Sequence, residues 1–259
     1  MFEVVKNTEL GTIWMPVNYK ANVTLYVGQL VYCPSGTDYL VPLGAASSAD
    51  TDKPMGVVVA TNRRTALYDA TYKTNSIAGA TTAATQTAVE KQASQGAMFG
   101  VGDPIPLVQI KLIGPQTEVK GRIYSSTYGT AITPFNPQSA SATGQIVYVS
   151  EASASSVAGN TTFYCRSGAN KGIYRVPSTV SNATNVTTNT FATYFPKAIA
   201  TSDYFVKANV RQGLSKIQFD TYSMCVLAEE TYSTNYYTVL VEEVNLEEAG
   251  KEYVIFRFV

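Results

Sequence analysis

The chain has 259 residues, 45% of them hydrophobic and 15% charged, and its 19 basic residues balance its 19 acidic ones. This composition suits one large or two moderate globular domains. The balanced charge leaves no basic footprint for nucleic acid or an anionic membrane, so neither is expected as a partner. Histidine is absent, which removes the commonest general base and metal ligand and excludes most hydrolase mechanisms.

The polar residues are mostly uncharged and include 18 tyrosines. Such side chains make hydrogen bonds without the desolvation cost of a charge, so this surface is suited to lying against other protein. Cys33, Cys165 and Cys225 each lie in an apolar, strand-like run. We interpret them as buried free thiols, which indicates folding in a reducing compartment.

The N-terminus lacks the basic segment and apolar core of a signal peptide. No run approaches the roughly 18 apolar residues of a membrane span. We therefore expect a soluble protein. Alternation with a period of two predicts strands at 23–33, 104–114, 144–150 and 238–244, and residues 253–259 predict a docked terminal strand. Frequent turns and no strand–helix alternation predict an all-β fold of short-stranded antiparallel barrel or sandwich units with little helix.

Two segments share one frame: YCPSGTDYLVP at 32–42 and YCRSGANKGIYRVP at 164–177. In each, Ser-Gly begins a turn and a later Pro stops the returning strand, since Pro cannot donate to a ladder. We interpret them as β-hairpins at equivalent places in two related units, residues 1–115 and 116–259. Chance similarity in a chain rich in Tyr and Ser is the alternative.

Residues 65–97 are rich in Ala and Thr and poor in large apolar side chains, which predicts an insertion, loop or extended arm, with a short helix possible in its second half. Residues 178–196 are rich in Asn and Thr. We interpret the glycosylation sequons as by-products of composition; they are at Asn22, Asn160, Asn182 and Asn185.

Paired glutamates are the first candidates for catalysis, because a glycosidase needs two carboxylates about 5 to 10 Å apart. Adjacent strand residues point to opposite faces, so one pair alone is not expected to serve. Two pairs on neighbouring strands could, although solvated hairpin edges are the favoured interpretation. The pairs are Glu229-Glu230, Glu242-Glu243 and Glu247-Glu248.

Other candidates have simpler explanations. Asp50 and Asp52 have calcium-loop spacing without the remaining ligands, and a turn accounts for them better. Gly100 and Gly102 lack the Gly-Lys-Ser/Thr of a phosphate loop. Asn62-Arg63-Arg64 either pairs with a neighbour's carboxylates or keeps a strand end soluble. Trp14 is the sole tryptophan, and tyrosine clusters suit both sugar stacking and protein interfaces. We expect no catalytic, cofactor-binding or metal residue, and the sequence assigns no interface residue.

The segment VTLYVGQLVYCPSGTDYLVPLGAASSADTDKPMGVVVA, residues 23–60, places a strand with Gly-Gln-Leu-Val, a turn, a second strand and a linker before Pro-x-Gly-Val-Val. This pattern resembles the small β-barrel units of tailed-phage virion proteins, particularly capsid decoration or cement proteins and head fibres. The stretch from GDPIPLVQIKLIG through GQIVYVS, residues 102–150, resembles them more loosely. No site residue is carried over.

The resemblance implies a non-enzymatic structural protein that decorates or cements a bacteriophage capsid by bridging neighbouring capsid subunits. It implies the virion as location, after synthesis in the host bacterial cytoplasm, and no cofactor. The implied partners are the major capsid protein and copies of itself in a homo-oligomer, with residues 65–97 as natural clamps. Two alternatives stay open: a carbohydrate- or receptor-binding β module of a phage tail or fibre that uses tyrosines and Trp14, and a glycosidase built on paired glutamates.

Overall fold

A computed structural model of the chain describes residues 1–6, 10–17, 24–37, 39–43, 53–61, 67–69, 74–78, 107–150, 156–229 and 236–259. Within these ranges the regular elements are strands and none is an α-helix, which confirms the predicted all-β class. In chain order the strands are β1 Phe2–Lys6, β2 Thr12–Pro16, β3 Thr24–Tyr26, β4 Leu30–Tyr32, β5 Val41–Pro42, β6 Gly56–Thr61, β7 Leu67–Asp69, β8 Thr74–Ala78, β9 Leu107–Leu112, β10 Glu118–Tyr124, β11 Ile146–Ser150, β12 Thr162–Cys165, β13 Tyr174–Arg175, β14 Thr179–Ala183, β15 Val186–Thr190, β16 Phe205–Ala208, β17 Gly213–Gln218, β18 Val226–Leu227, β19 Tyr236–Asn245 and β20 Tyr253–Phe258.

The chain forms two compact units, one of Met1–Val119 with Thr221–Met224 and the other of Lys120–Asp220 with Cys225–Val259. The sequence placed the boundary after residue 115 and assigned residues 221–224 to the second unit. Buried Gln29 explains why that short segment joins the first unit. Its side-chain amide donates a hydrogen bond to the Tyr222 carbonyl, and the Leu30 N–H donates to the Ser223 carbonyl at 3.1 Å.

The first unit contains an antiparallel five-stranded sheet in the order β2-β9-β6-β4-β5 and a three-stranded sheet in the order β3-β8-β7. The alternation in β9 places Val108 and Ile110 in a core that also includes Val58 and Leu25. Strands β7 and β8 fall inside the predicted insertion at 65–97, so the described part of that segment is a hairpin of sheet and not a loop. The predicted helix there lies outside the described residues.

The second unit contains three sheets. Strands β10, β20, β19 and β17 are neighbours in that order, and β18 pairs with β10 in parallel. The other two sheets have the orders β13-β12-β16 and β11-β15-β14. Their inner faces enclose an aromatic core, in which ring edges meet ring faces, as aromatic pairs prefer. The core residues are Phe135, Val147, Val149, Phe163, Cys165, Phe191, Phe195, Ile199 and Phe205.

Both copies of the shared frame form antiparallel hairpins. Tyr32 in β4 pairs with Val41, and Tyr164 in β12 pairs with Tyr174. The glycine of each Ser-Gly turn adopts a positive φ, +76° at Gly36 and +88° at Gly168. The registers nevertheless differ. Val41, the partner of Tyr32, corresponds in the shared frame to Val176, whereas Tyr164 pairs with Tyr174. The two hairpins therefore share turn chemistry without sharing the same pairing.

Candidate functional site

A patch on the five-stranded sheet of the first unit combines exposed Trp14 and Val59 with half-buried polar side chains. Trp14 lies opposite Gln109, which in turn lies opposite Ala60. Residues directly opposite one another in adjacent strands share a face. On the same face, one pair further along, Thr12 lies opposite Lys111. We call this surface the Trp14 face and define it as Thr12, Trp14, Val59, Ala60, Gln109 and Lys111.

The opposite side of these strands explains why Trp14 points outward. Ile13, Ile110 and Val58 form the neighbouring row, and all three pack in the core of the first unit. Because strand side chains alternate between faces, packing of half-buried Ile13 against the core turns Trp14 away from it. The Trp14 side chain is 48% exposed.

A β-bulge adds a second apolar side chain to this face. The register shifts between Val58 and Ala60, so Val59 is an extra residue and, with Ala60, opposes the single residue Gln109. Val59 is 42% exposed. Two large apolar side chains thus flank Gln109 on a rigid sheet.

The remaining chemistry of the Trp14 face is polar and nearly uncharged. The Gln109 amide Nε2 donates a hydrogen bond to Thr12 Oγ1 at 3.1 Å, so both groups are fixed beside the indole. Lys111 is the one charged residue among the six that define the face. The arrangement offers a flat aromatic surface, an amide carbonyl, a hydroxyl and an amine, which suits binding and supplies no nucleophile with an activating base.

In the second unit, a buried cluster anchors the turn between β19 and β20. Arg166 donates from Nε and Nη2 to the Leu246 carbonyl at 3.0 and 2.8 Å and pairs through Nη2 with Glu252 Oε1 at 2.6 Å. The Leu246 N–H donates to the Tyr174 hydroxyl at 3.0 Å. Burial raises the pKa of Tyr174 to about 12, so this hydroxyl stays neutral at physiological pH. The cluster is interpreted as structural, because its charges and hydrogen bonds satisfy one another.

Where the structure describes them, the paired glutamates lie on exposed surface, apart from half-buried Glu229. A β-bulge between Val241 and Glu243 corrects the expectation that adjacent residues face opposite sides. Glu242 Oε1 pairs with Arg257 Nη2 at 3.1 Å, and Glu243 Oε1 accepts a hydrogen bond from the Tyr253 hydroxyl at 2.6 Å. Arg257 and Tyr253 share one face of β20, so both carboxylates lie on that face. The hydrogen bond to Glu243 raises the pKa of Tyr253.

Within the described ranges, the other glutamates do not form a pair of carboxylates that face each other. Glu248 pairs with Lys251 at 2.6 Å on the exposed β19–β20 turn, and Glu247 is exposed beside it. Glu229 is half-buried, and Glu230 lies outside the described residues. Three further candidates also lie outside them: the pair Asp50 and Asp52, the segment Asn62-Arg63-Arg64, and the pair Gly100 and Gly102.

Residues that could hold a metal ion do not gather in the described ranges, since no group of three or more Cys, Asp or Glu is close enough. The three cysteines are free thiols. Burial confirms the interpretation for Cys165 and Cys225, whereas Cys33 is half-buried. Burial raises the pKa of Cys165 to about 11 and that of Cys225 further, so neither is an activated thiolate at neutral pH.

Asn160, one of the sequon residues, is buried and acts as a structural hub. Its Nδ2 donates to the carbonyls of Asn209 and Lys216 at 3.0 and 3.1 Å. Its Oδ1 accepts from Ser215 Oγ and the Lys216 N–H at 3.1 and 3.0 Å. Because the amide is fully engaged, the folded chain has no free amide at this sequon to carry a sugar.

Comparison with protein-family models, with curated proteins and with solved structures found no match. No helix in the described part of the chain is long and apolar enough to cross a membrane. Sequence reasoning named Trp14 but missed its neighbours Gln109 and Val59. The predicted alternation in 104–114 is the signal from which the outward side of Gln109 follows, whereas no local signal identifies the bulge at Val59 or the pairing of β9 with β2.

Proposed function

We propose that this protein is a non-enzymatic structural protein of a phage virion that decorates or cements the capsid by bridging neighbouring capsid subunits. The resemblance of residues 23–60 to phage decoration proteins supports the setting. The low charge and the many neutral hydrogen-bonding side chains support contact with protein as the main activity. The all-β fold supplies rigid surfaces on which such contacts are held in place.

The observation that carries the proposal is the Trp14 face. Tryptophan is enriched among residues that dominate binding energy at protein interfaces, and these residues sit at the centre of a patch with a polar rim. Trp14 and Val59 provide the apolar centre, and Thr12, Gln109 and Lys111 provide the rim. Because three strands of one sheet hold these side chains, little further ordering is needed on binding, so less affinity is lost to conformational entropy.

Decoration of a capsid also explains how the small Trp14 face is sufficient for stable binding. A capsid presents the same subunit surface many times, and copies bound to adjacent subunits act together. A contact that is weak for one isolated pair therefore becomes stable on the particle. Bridging of neighbouring subunits then resists their separation.

Co-sedimentation tests the proposal. Shells assembled from the major capsid protein encoded in the same genome are mixed with the purified chain and centrifuged. We expect the wild-type chain to pellet with the shells. Trp14→Ala should weaken binding by at least about tenfold, the effect of losing an interface anchor. Leu214→Ala is the matched control, because Leu214 is an exposed apolar residue of the second unit at 57% exposure. A wild-type chain that stays in the supernatant contradicts the proposal.

Carbohydrate binding is the second candidate function, and one observation favours it. The hydrogen-bonded pair Gln109–Thr12 lies beside the exposed indole of Trp14. An aromatic surface can stack on the apolar face of a sugar ring while an amide and a hydroxyl bind its oxygens. A glycan array tests this candidate. Sugar binding requires both Trp14 and Gln109, whereas a protein interface tolerates Gln109→Ala at its rim.

A further inference from the structure

In the part of the chain that the structure describes, strand β14 has an exposed edge with none of the usual protection against pairing. Its residues are Thr179, Val180, Ser181, Asn182 and Ala183, of which four are exposed and Val180 is half-buried. It is the last strand of the sheet β11-β15-β14, and its pairing with β15 has no register shift. Natural edge strands are guarded by charges, proline, bulges or a covering segment. β14 contains no charge, no proline and no bulge.

Four other strand edges in the described part of the second unit are guarded. On β11, the Tyr148 carbonyl accepts a hydrogen bond from the Gln138 N–H at 3.0 Å. On β16, Phe205 forms a bridge with Phe135. β13 has only two residues, one of them Arg175, and β17 carries Lys216. Within the described part of the chain, β14 therefore differs from these four edges in having no guard.

The hydrogen-bond pattern shows which backbone groups of β14 point outward. The Phe191 N–H donates to the Gln145 carbonyl at 2.9 Å, so odd-numbered residues of β15 bond to β11. Backbone groups in an antiparallel ladder alternate between the two neighbours, so even-numbered residues of β15 bond to β14. Their partners are Thr179, Ser181 and Ala183. The N–H and C=O groups of Val180 and Asn182 therefore face the open edge.

We propose that β14 pairs with β14 of a second copy of this chain, antiparallel across a two-fold axis at Ser181. In this register Val180 of each copy lies opposite Asn182 of the other. All the outward N–H and C=O groups of these residues are then used, which gives about four interchain hydrogen bonds. Ser181 lies opposite its own copy, and Thr179 lies opposite Ala183. The two three-stranded sheets become one continuous sheet of six.

The chemistry of β14 favours a second copy as occupant. A two-fold contact places like residues together, so a charged edge would repel itself. The uncharged β14 has no such repulsion, and its small Ser, Ala and Thr side chains let two strands approach. A five-residue contact is well below the area of a stable interface, so we expect a weak dimer in solution that is strengthened on a particle. Only the strengthening of the dimer on a particle rests on the proposed function; the weak dimer in solution does not.

Cysteine crosslinking in a Cys33→Ser background tests the proposed register with purified full-length chain at high concentration under mild oxidation. Ser181→Cys should form disulfide dimers about tenfold faster than Asn182→Cys, because residues opposite each other in a non-hydrogen-bonded pair meet the Cα separation of a disulfide, about 4.5 Å. A mixture of Thr179→Cys and Ala183→Cys should crosslink as a heterodimer, whereas each alone should not. Equal rates at all four positions, or none above the Cys33→Ser parent, overturn the proposal.

A charge exchange provides a second readout. Ser181→Lys added to both chains of the Thr179→Cys and Ala183→Cys mixture should abolish the heterodimer, and Ser181→Glu in both should do the same. Ser181→Lys in one chain and Ser181→Glu in the other should restore it, which excludes misfolding of either variant as the cause. Loss without restoration contradicts the pairing. Crosslinking without co-sedimentation with shells would leave this dimer standing and contradict only the proposed function.

Discussion

Arg166 and Glu252 form a nearly buried ion pair in the second unit, with 2.6 Å between Nη2 and Oε1 and side chains only 10% and 2% exposed. Arg166 also holds the Leu246 carbonyl with two hydrogen bonds. Through these contacts the second shared hairpin is joined to the turn that connects β19 and β20. The turn sequence Leu246–Glu252 contains four charged residues, of which only Glu252 is buried.

Removal of the Arg166 side chain should therefore be strongly destabilising. Arg166→Ala leaves the Glu252 carboxylate buried without its cation, and the free energy of unfolding should fall by about 3 to 5 kcal/mol. Lys251→Ala is the matched control, since Lys251 pairs with Glu248 at the same 2.6 Å but on the surface. Its cost should be no more than about 1 kcal/mol. Urea denaturation followed by circular dichroism measures both, and equal costs would contradict the role given to burial.

The two turn glycines should differ in their response to alanine. Both have positive φ, which costs a residue with a Cβ about 1 to 2 kcal/mol. At Gly36 an added Cβ meets nothing within 4 Å, whereas at Gly168 it would overlap Asp203 Oδ1. Gly36→Ala should cost only the backbone strain, and Gly168→Ala should cost about 1 to 3 kcal/mol more because the loop must move.

Chemical denaturation of the two glycine variants measures this difference. Trp14 is the only tryptophan, so its fluorescence reports on the first unit, while circular dichroism reports on both. Asp203→Ala added to Gly168→Ala should recover part of the loss, because it removes the contacted carboxylate. Equal costs at Gly36 and Gly168 would show that the contact with Asp203 has no energetic weight.

Buried Lys207 should make stability depend on alkaline pH. Its side chain lies in β16, and the residue is 4% exposed. Burial lowers the pKa of Lys207 from 10.5 to about 8, although Glu229 offsets part of the effect. Between these two values the unfolded chain holds a proton that the folded chain has released, so stability contributed by this residue rises with pH.

The comparison of wild type with Lys207→Met isolates this contribution, because the cysteines and tyrosines are common to both chains. As pH rises from about 7.5 to 10.5, the free energy of unfolding of the wild type should increase by about 3 kcal/mol relative to that of Lys207→Met. A flat difference for Lys207→Met, measured by denaturation at several pH values, would contradict a lowered pKa.

Some features were readable locally. The period-two pattern of 104–114 predicted β9, and the apolar C-terminal run predicted β20, because a strand that buries one face must alternate or be apolar. The hairpins at 32–42 and 164–177 were predicted from Ser-Gly and Pro, whose backbone preferences are intrinsic to the residue. The composition of 65–97 predicts an insertion, loop or arm and does not predict β7 and β8. Threonine and alanine do not reveal which strands they pair with.

By itself the sequence determined the all-β class, the positions of its turns, the buried state of Cys165 and Cys225, and a neutral surface rich in hydrogen-bonding groups. These properties depend on residue type and on spacing along the chain. Only the tertiary structure decided that Trp14 lies beside Gln109 and Val59, that Arg166 meets Glu252, and that β14 is an unguarded edge. Those relationships depend on strand order, register and bulges, which are set by packing between residues far apart in sequence.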